Sequence, residues 1–163
     1  MQPGDIFVVR ENHPFDVLIR FAQRRRFAVT DAEFNHCGII STASGETIEA
    51  LWSGVSYGSV HNYPDRKIIS IPDDATRFHI LQWSAKRVGD RYSFVSLFVL
   101  VLSLMVGAKF RFGRRGTYIC SGLVASALTY AGIDMGDDPE WVVPAEIAMW
   151  SHANNPLADP VLM

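Results

Sequence analysis

A helix that begins at a cysteine is the feature of this sequence that most constrains its fold. In YICSGLVASALTYAG, residues 118–132, apolar residues recur from Leu123 to Ala131 at the spacing of one helix face. Gly132 then supplies a common helix end. Cys120 should therefore lie near the N-terminus of a buried helix, where free N–H groups and the helix dipole favour a thiolate. Taken alone, the position fits a small packing residue equally well, because free cysteines are commonly buried.

The composition predicts one globular domain over residues 1–163. The chain is 48% hydrophobic and 12% aromatic, which gives it enough apolar surface for a real core. Its net charge of -2 gives no overall attraction to nucleic acid, so no nucleic-acid partner is expected. Two cysteines are too few for a disulfide framework and lack the paired spacing of a zinc site. We therefore expect no metal and no cofactor.

The order of patterns along the chain predicts an α+β fold. Strand-like runs begin at Ile6, at HCGIIS, at ETIEALW and at KIISIP, and TASG separates the second run from the third as a hairpin turn. Helical patterns cover HPFDVLIRFAQRRRF, which ends in a basic turn, and DDATRFHILQWSAKRVG. The segment from Pro139 onward is rich in proline and turn residues, which predicts an irregular stretch on the surface.

The run Phe94–Val106 is almost entirely apolar but shorter than the roughly 20 residues of a membrane span. We expect it to form a buried core helix. Contact with lipid, or with an acyl chain, is the less favoured alternative. No basic and apolar leader precedes the first strand, so the expected location is the reducing cytoplasm, or else a phage or secreted assembly.

A nucleophilic cysteine needs a base, and the hairpin offers one. If the strands pair about a midpoint near Ser44, Glu49 falls within a rung or two of His36. A carboxylate there can fix the tautomer of the imidazole and stabilise its protonated form. Because side chains alternate along a strand, His36 and Cys37 should point to opposite faces and should not both reach one site. A histidine on a strand is, by itself, more often structural.

Several segments resemble the papain-like cysteine hydrolases. CSGLVASALTYAG resembles the nucleophile helix of NlpC-type peptidases, and NHCGIISTASGETIEAL resembles their histidine hairpin. Here the histidine precedes the cysteine, which is similar to the circularly permuted branch that includes the YiiX-like amidases and the lecithin retinol acyltransferase relatives. GDIFVVR, LIRFAQ, GDRYSF and VPAEIA agree with that branch, so the resemblance spans roughly Gly4 to Met149. The chain departs from these patterns at Ile119 and Gly122, where relatives often carry acidic residues.

The resemblance implies a permuted papain-like fold, with a small antiparallel sheet packed against helices that include the nucleophile helix. It implies Cys120 as the nucleophile, His36 as the base and Glu49 as the residue that orients it. Tyr92, in GDRYSF, matches a tyrosine that often lies near the site and can assist an oxyanion; a core aromatic is the equal alternative.

The expected activity is hydrolysis of a peptide-like amide, such as a peptidoglycan stem peptide, through a Cys120 acyl-enzyme. Two alternatives remain open. One is a lipid-directed thiol esterase or acyltransferase of the same fold, and the other is a catalytically silent binding module. The oligomeric state is not predicted.

Overall fold

The structure is a computed structural model that describes residues 1–11, 14–107 and 116–154. The strands are β1 (Ile6–Val9), β2 (His36–Ile40), β3 (Glu46–Leu51), β4 (Gly54–Ser59), β5 (Arg66–Ile69), β6 (Arg91–Tyr92) and β7 (Thr117–Tyr118). The helices are α1 (Pro14–Gln23), α2 (Val29–Ala32), α3 (Asp74–Ala85), α4 (Phe94–Val106), α5 (Cys120–Tyr130) and α6 (Pro144–Asn154). The α+β prediction is confirmed.

The main sheet has five strands in the order β4-β3-β2-β1-β5, and the pairs within it are antiparallel. β2 and β3 form the predicted hairpin. Ile39 pairs with Ile48 and Ile40 with Thr47, which centres the hairpin between Ala43 and Ser44. A separate two-stranded parallel sheet joins β6 to β7, and β7 leads directly into α5.

The two faces of the main sheet have different neighbours. On one face, Cys37 and Ile39 of β2 pack with Val124 and Leu128 of α5 in a single apolar cluster. On the other face, the Phe7 ring of β1 lies against the rings of His36 and Tyr63, with centroids 6.3 and 5.7 Å away. The sheet therefore has helix α5 on one face and the His36 imidazole on the other.

Helix α4 is not the buried core helix that its apolar composition predicts. Leu100, Ser103 and Leu104 are its buried residues, and they face a cluster that includes Ile119. Its other side carries five exposed apolar side chains, Phe94, Val95, Phe98, Leu102 and Val106. The tertiary packing leaves these side chains exposed, although α1 contacts α4 and its Ile19 lines a groove with Phe98 and Leu102. No helix in those ranges combines the length and the apolar character needed to cross a membrane.

The segment after Pro139 is also more ordered than predicted. Residues 144–154 form helix α6, and Ala145, Ile147 and Ala148 are fully buried. Pro144 is the first residue of this helix, where its missing N–H costs nothing, so the proline starts a helix where we expected an irregular stretch. The part of that expectation covering residues 155–163 lies outside the described residues.

Candidate active site

Cys120 is the first residue of α5, as the sequence predicted. Ile119 precedes the helix in an extended conformation, and no side chain caps the first turn. The backbone N–H of Ser121 instead lowers the pKa of the Cys120 thiol. Cys120 is buried, at 8% exposed, and lies at the free N–H groups of a buried helix.

The hairpin brings His36 and Glu49 together. The His36 Nε2 atom is 2.7 Å from the Glu49 Oε2 atom, and both side chains are buried. The observed register, extended by one rung, places Gly38 opposite Glu49, and His36 precedes Gly38 by two residues on the same face. The interaction of the His36 ring with the Cys120 thiol raises the pKa of the imidazole and lowers that of the thiol. Because Nε2 is taken by Glu49, Nδ1 is the nitrogen left for the Cys120 proton.

The contacts of these three residues favour a thiolate–imidazolium pair. Hydrogen bonds with Cys37 and His36 hold the pKa of the Cys120 thiol well below its usual range, against burial, which raises it. Burial lowers the pKa of His36, but hydrogen bonds to Cys120 and Glu49 outweigh it and raise that pKa to about 10. Burial is the largest single influence and raises the pKa of Glu49, but its bond and charge interaction with His36, together with the hydrogen bonds from Thr47 and Tyr63, lower it overall, so Glu49 is a carboxylate at neutral pH.

Two further hydroxyl groups hold the Glu49 carboxylate, and sequence reasoning missed both. The Tyr63 hydroxyl donates to Glu49 Oε2 at 2.6 Å, and the Thr47 hydroxyl donates to Oε1. Burial, and then the bond to Glu49, raises the pKa of Tyr63, which keeps it a donor. Thr47 lies two residues before Glu49 on the same strand face, so alternation was a usable signal. Tyr63 follows a 3₁₀ turn beyond β4, and no local pattern connects it with the site.

Cys37 lies on the side of the sheet opposite His36. The backbone alternates as expected, since Cys37 packs on the α5 side of the sheet while His36 lies beside Phe7 and Tyr63. Cys37 shares a buried cluster with Cys120, and both Cys37 and His36 lower the pKa of the Cys120 thiol.

The structure places Tyr92 in an aromatic cluster on the neighbouring parallel ribbon. Its ring centroid lies 5.3 Å from that of Trp52 and 5.1 Å from that of Phe94. Tyr92 pairs with Tyr118, two residues before Cys120, so its backbone is close to the start of α5. Its assistance to an oxyanion stays a prediction.

Cavities lie beside α4 and α5. One of about 250 Å³, with mixed polar and apolar walls, includes Tyr118, Ile119 and Gly122 beside the start of α5. An apolar groove of about 500 Å³ is lined wholly by hydrophobic side chains: Ile19, Trp52, Phe94, Leu97, Phe98, Val101, Leu102 and Met105. Among the described residues, no group of three or more His, Cys, Asp and Glu side chains is placed to hold a metal ion.

Comparison of the sequence with protein-family models and with curated proteins finds no match. The function is therefore inferred from the contacts among Cys120, His36 and Glu49.

Proposed function

We propose that the protein is a cysteine hydrolase of the permuted papain-like type, which cleaves an amide through a Cys120 acyl-enzyme. One observation carries the proposal: His36 is bonded to Glu49 at 2.7 Å in a buried pair, and the same imidazole lowers the pKa of Cys120, which lies at the N-terminus of a buried helix. A nucleophile, a base and a group that orients the base are the parts that thiol acyl transfer requires. The histidine hairpin precedes the cysteine helix along the chain, which supports the permuted order.

The roles follow from the contacts. Glu49 accepts from His36 Nε2 and stabilises the imidazolium that forms when the Cys120 proton passes to Nδ1. The thiolate attacks the substrate carbonyl carbon, and a C–S bond forms as the carbonyl oxygen becomes an oxyanion. The imidazolium then protonates the leaving amine as the C–N bond breaks. Water, deprotonated by His36, attacks the thioester and releases the acid and the thiol.

The oxyanion needs donors that are already in position. The N-terminus of α5 presents backbone N–H groups with no side-chain cap, and the Ser121 N–H lowers the pKa of the Cys120 thiol. These groups can take a developing negative charge without rearrangement. The predicted second donor is Tyr92. A peptide-like amide, such as a peptidoglycan stem peptide, is the substrate class that the resemblance of CSGLV to the NlpC type implies.

The apolar groove favours a second candidate function, a thiol esterase or acyltransferase that acts on an acyl lipid. Its volume of about 500 Å³ and its wholly hydrophobic lining suit a hydrocarbon chain and not a peptide. Leu97, Val101 and Met105 line this groove and also pack in the cluster that contains Ile119, the residue before Cys120. This packing links the groove to the start of the nucleophile helix.

The test compares two substrate series with the wild type and with Cys120→Ala, Cys120→Ser, His36→Ala and Glu49→Gln. We expect trapping of an acyl group on Cys120 by mass spectrometry, no turnover in Cys120→Ala, and a loss of about a hundredfold or more in kcat in Glu49→Gln. Turnover that persists in Cys120→Ala would contradict both enzymatic proposals. No turnover and an ordinary, His36-independent thiol would favour the binding module.

The two series separate the candidates. Peptidyl anilides represent the amide class, and p-nitrophenyl esters from two to sixteen carbons represent the acyl class. If the groove holds an acyl chain, kcat/KM should rise with chain length, and Leu102→Glu should abolish that rise. Val95→Glu is the matched control, because Val95 is exposed on the same helix but does not line the groove.

A further inference from the structure

Helix α4 carries a stripe of large, exposed apolar side chains along one side. Phe94, Phe98, Leu102 and Val106 recur at intervals of four residues, so they share one side of the helix, and all of them are exposed. The 13-residue helix is about 20 Å long. Single exposed hydrophobic residues are ordinary, but a continuous apolar patch of this extent marks a surface that contacts a partner or a membrane.

The stripe continues onto two neighbouring elements. The half-exposed Trp52 ring stacks on that of Phe94, with centroids 5.4 Å apart and an angle of 28° between the rings. Helix α1 contacts α4, and its Ile19 lines the apolar groove together with Phe98. Phe21, two residues further along α1, is exposed as well. The apolar platform is this combined surface: Phe21, Trp52, Phe94, Phe98, Leu102 and Val106.

The platform offers hydrocarbon and almost no polar group. Helix α4 contains no charged residue, and the side chains that line the groove carry neither a charge nor a hydroxyl group. A protein partner is held by about one hydrogen bond per 100–200 Å² of interface, for which the side chains of the platform offer only the Trp52 N–H. Lipid chains need no hydrogen bonds. An indole ring also suits the boundary between head groups and chains, because its N–H stays near water while the ring is buried.

Positive charge borders the platform where α4 ends. The Arg25 guanidinium lies 5.9 Å from the centroid of the Phe21 ring, and its Nη1 atom donates to the Met105 carbonyl oxygen at 3.0 Å. In the sequence that follows α4, residues 108–115 include four basic residues and no acidic one. An anionic lipid surface complements this excess of positive charge, whereas the platform of a second copy of the chain offers no acidic group in return.

We propose that the apolar platform docks the protein on the surface of a membrane that contains anionic lipid. Helix α4 lies parallel to the bilayer plane, its stripe enters the boundary between head groups and acyl chains, and Arg25 stays at the level of the lipid phosphates. The inference goes beyond the proposed function, because it concerns the place where the protein acts and does not depend on Cys120 as a nucleophile.

The test is flotation of the folded protein with large unilamellar vesicles. One set contains phosphatidylcholine alone, and the other contains phosphatidylcholine and phosphatidylglycerol in equal parts. We expect the partition coefficient to be at least about tenfold higher on the anionic set, because each basic group near the surface adds to the attraction. A protein that floats with neither set of vesicles overturns the inference.

Phe98→Asp tests the platform, and Phe78→Asp is its matched control. Phe78 is exposed to a similar extent, 60% against 68% for Phe98, but it lies on α3. Both substitutions add the same negative charge, and neither leaves a buried cavity. We expect Phe98→Asp to weaken binding to the anionic vesicles by about tenfold or more, and Phe78→Asp to weaken it by less than about twofold. Equal effects of the two substitutions would contradict docking through α4.

Arg25→Gln tests the charged border of the platform. We expect about fivefold weaker binding to the anionic vesicles and no change on phosphatidylcholine alone. Lys86→Gln, at an exposed position after α3, is the control and should behave as the wild type. Arg25→Gln that binds the anionic vesicles as tightly as the wild type would remove Arg25 from the lipid contact.

Sedimentation velocity without lipid separates membrane docking from self-association. We expect the wild type to sediment as a monomer at the concentrations used for flotation. A dimer that Phe98→Asp dissociates, together with no binding to vesicles, would show that a second copy covers the platform, and it would overturn the inference. Turnover of either substrate series in solution has no bearing on this outcome.

Discussion

At the scale of single residues, the Glu49 carboxylate is held by hydrogen bonds and is also confined by the backbone on either side of it. Its carboxylate accepts from His36, Tyr63 and Thr47, while glycines lie on the strands to either side. A Cβ added at Gly38 would lie 2.9 Å from the Glu49 Cγ atom, and one at Gly58 would lie 2.5 Å from its Oε1 atom. The two glycines therefore leave the space in which the carboxylate rests against the sheet.

This confinement predicts the effect of Gly58→Ala. The added methyl group must push the carboxylate away, because it would also lie 3.0 Å from the Thr47 hydroxyl. A weaker bond to His36 destabilises the imidazolium that stabilises the thiolate, so the pKa of Cys120 rises, and we expect about tenfold slower alkylation of Cys120 at pH 6. Tyr57→Ala, which changes an exposed neighbour on the same strand, is the control. A normal rate in Gly58→Ala would show that the carboxylate position does not matter.

At the scale of elements, a buried glutamine joins three of them. Gln23, at the end of α1, donates to the carbonyl oxygens of Ala32 and Phe34 at 3.3 and 2.8 Å. Its Oε1 atom accepts from the backbone N–H of Ala145 at 3.1 Å, in the first turn of α6. One side chain thus satisfies an N–H group in the first turn of α6 and ties that turn to α1 and to the end of α2.

We expect Gln23→Ala to destabilise the protein by about 2–4 kcal/mol, because it leaves a cavity and up to three buried backbone groups without partners. The measurement is the free energy of unfolding in urea. Gln82→Ala, at a half-buried position on α3, should change it by less than about 0.5 kcal/mol. Equal effects of the two substitutions would contradict the capping role of Gln23.

The apolar composition of helix α4 did not predict how the helix packs. A helix that is apolar on all sides is expected to be buried. Here one side packs against Ile119 and the other is exposed beside a groove, so the sequence established the helix but not its surroundings.

At the scale of the whole molecule, the thiolate–imidazolium pair predicts how stability depends on pH. The pKa of His36 is about 10 in the folded protein and about 6.5 in an unfolded chain, so its contribution is complete below pH 6.5 and is lost as the pH rises to 10. The pKa of Cys120 is lowered from 9.0, so its contribution is complete above pH 9.0 and is lost as the pH falls through the lowered value. The contributions of His36 and Cys120 together make the free energy of unfolding largest between pH 6.5 and 9.0.

We therefore expect a plateau in the free energy of unfolding from about pH 6.5 to 9.0 and a decline toward pH 10. Denaturant unfolding of the wild type and of His36→Ala across this range measures it. The difference between the two proteins should narrow as the pH approaches 10. A difference that stays constant would mean that His36 carries no extra proton in the folded state.

The sequence by itself determined the features that depend on neighbours along the chain. Helical spacing and Gly132 set the extent of α5 and placed Cys120 at its start, while the TASG turn set the register that brings Glu49 to His36. Short-range geometry suffices for these, because a helix face and a hairpin are defined within a few residues.

Tertiary structure alone decided what distant segments bring together. It placed the Tyr63 hydroxyl on Glu49, Cys37 and Cys120 in one buried cluster and the Gln23 amide at the start of α6, and it left one side of α4 exposed. Each of these depends on how layers pack, and no local pattern records which side chain will fill the space opposite another. The physical reason is that burial and hydrogen bonding act across space, whereas sequence periodicity describes one element at a time.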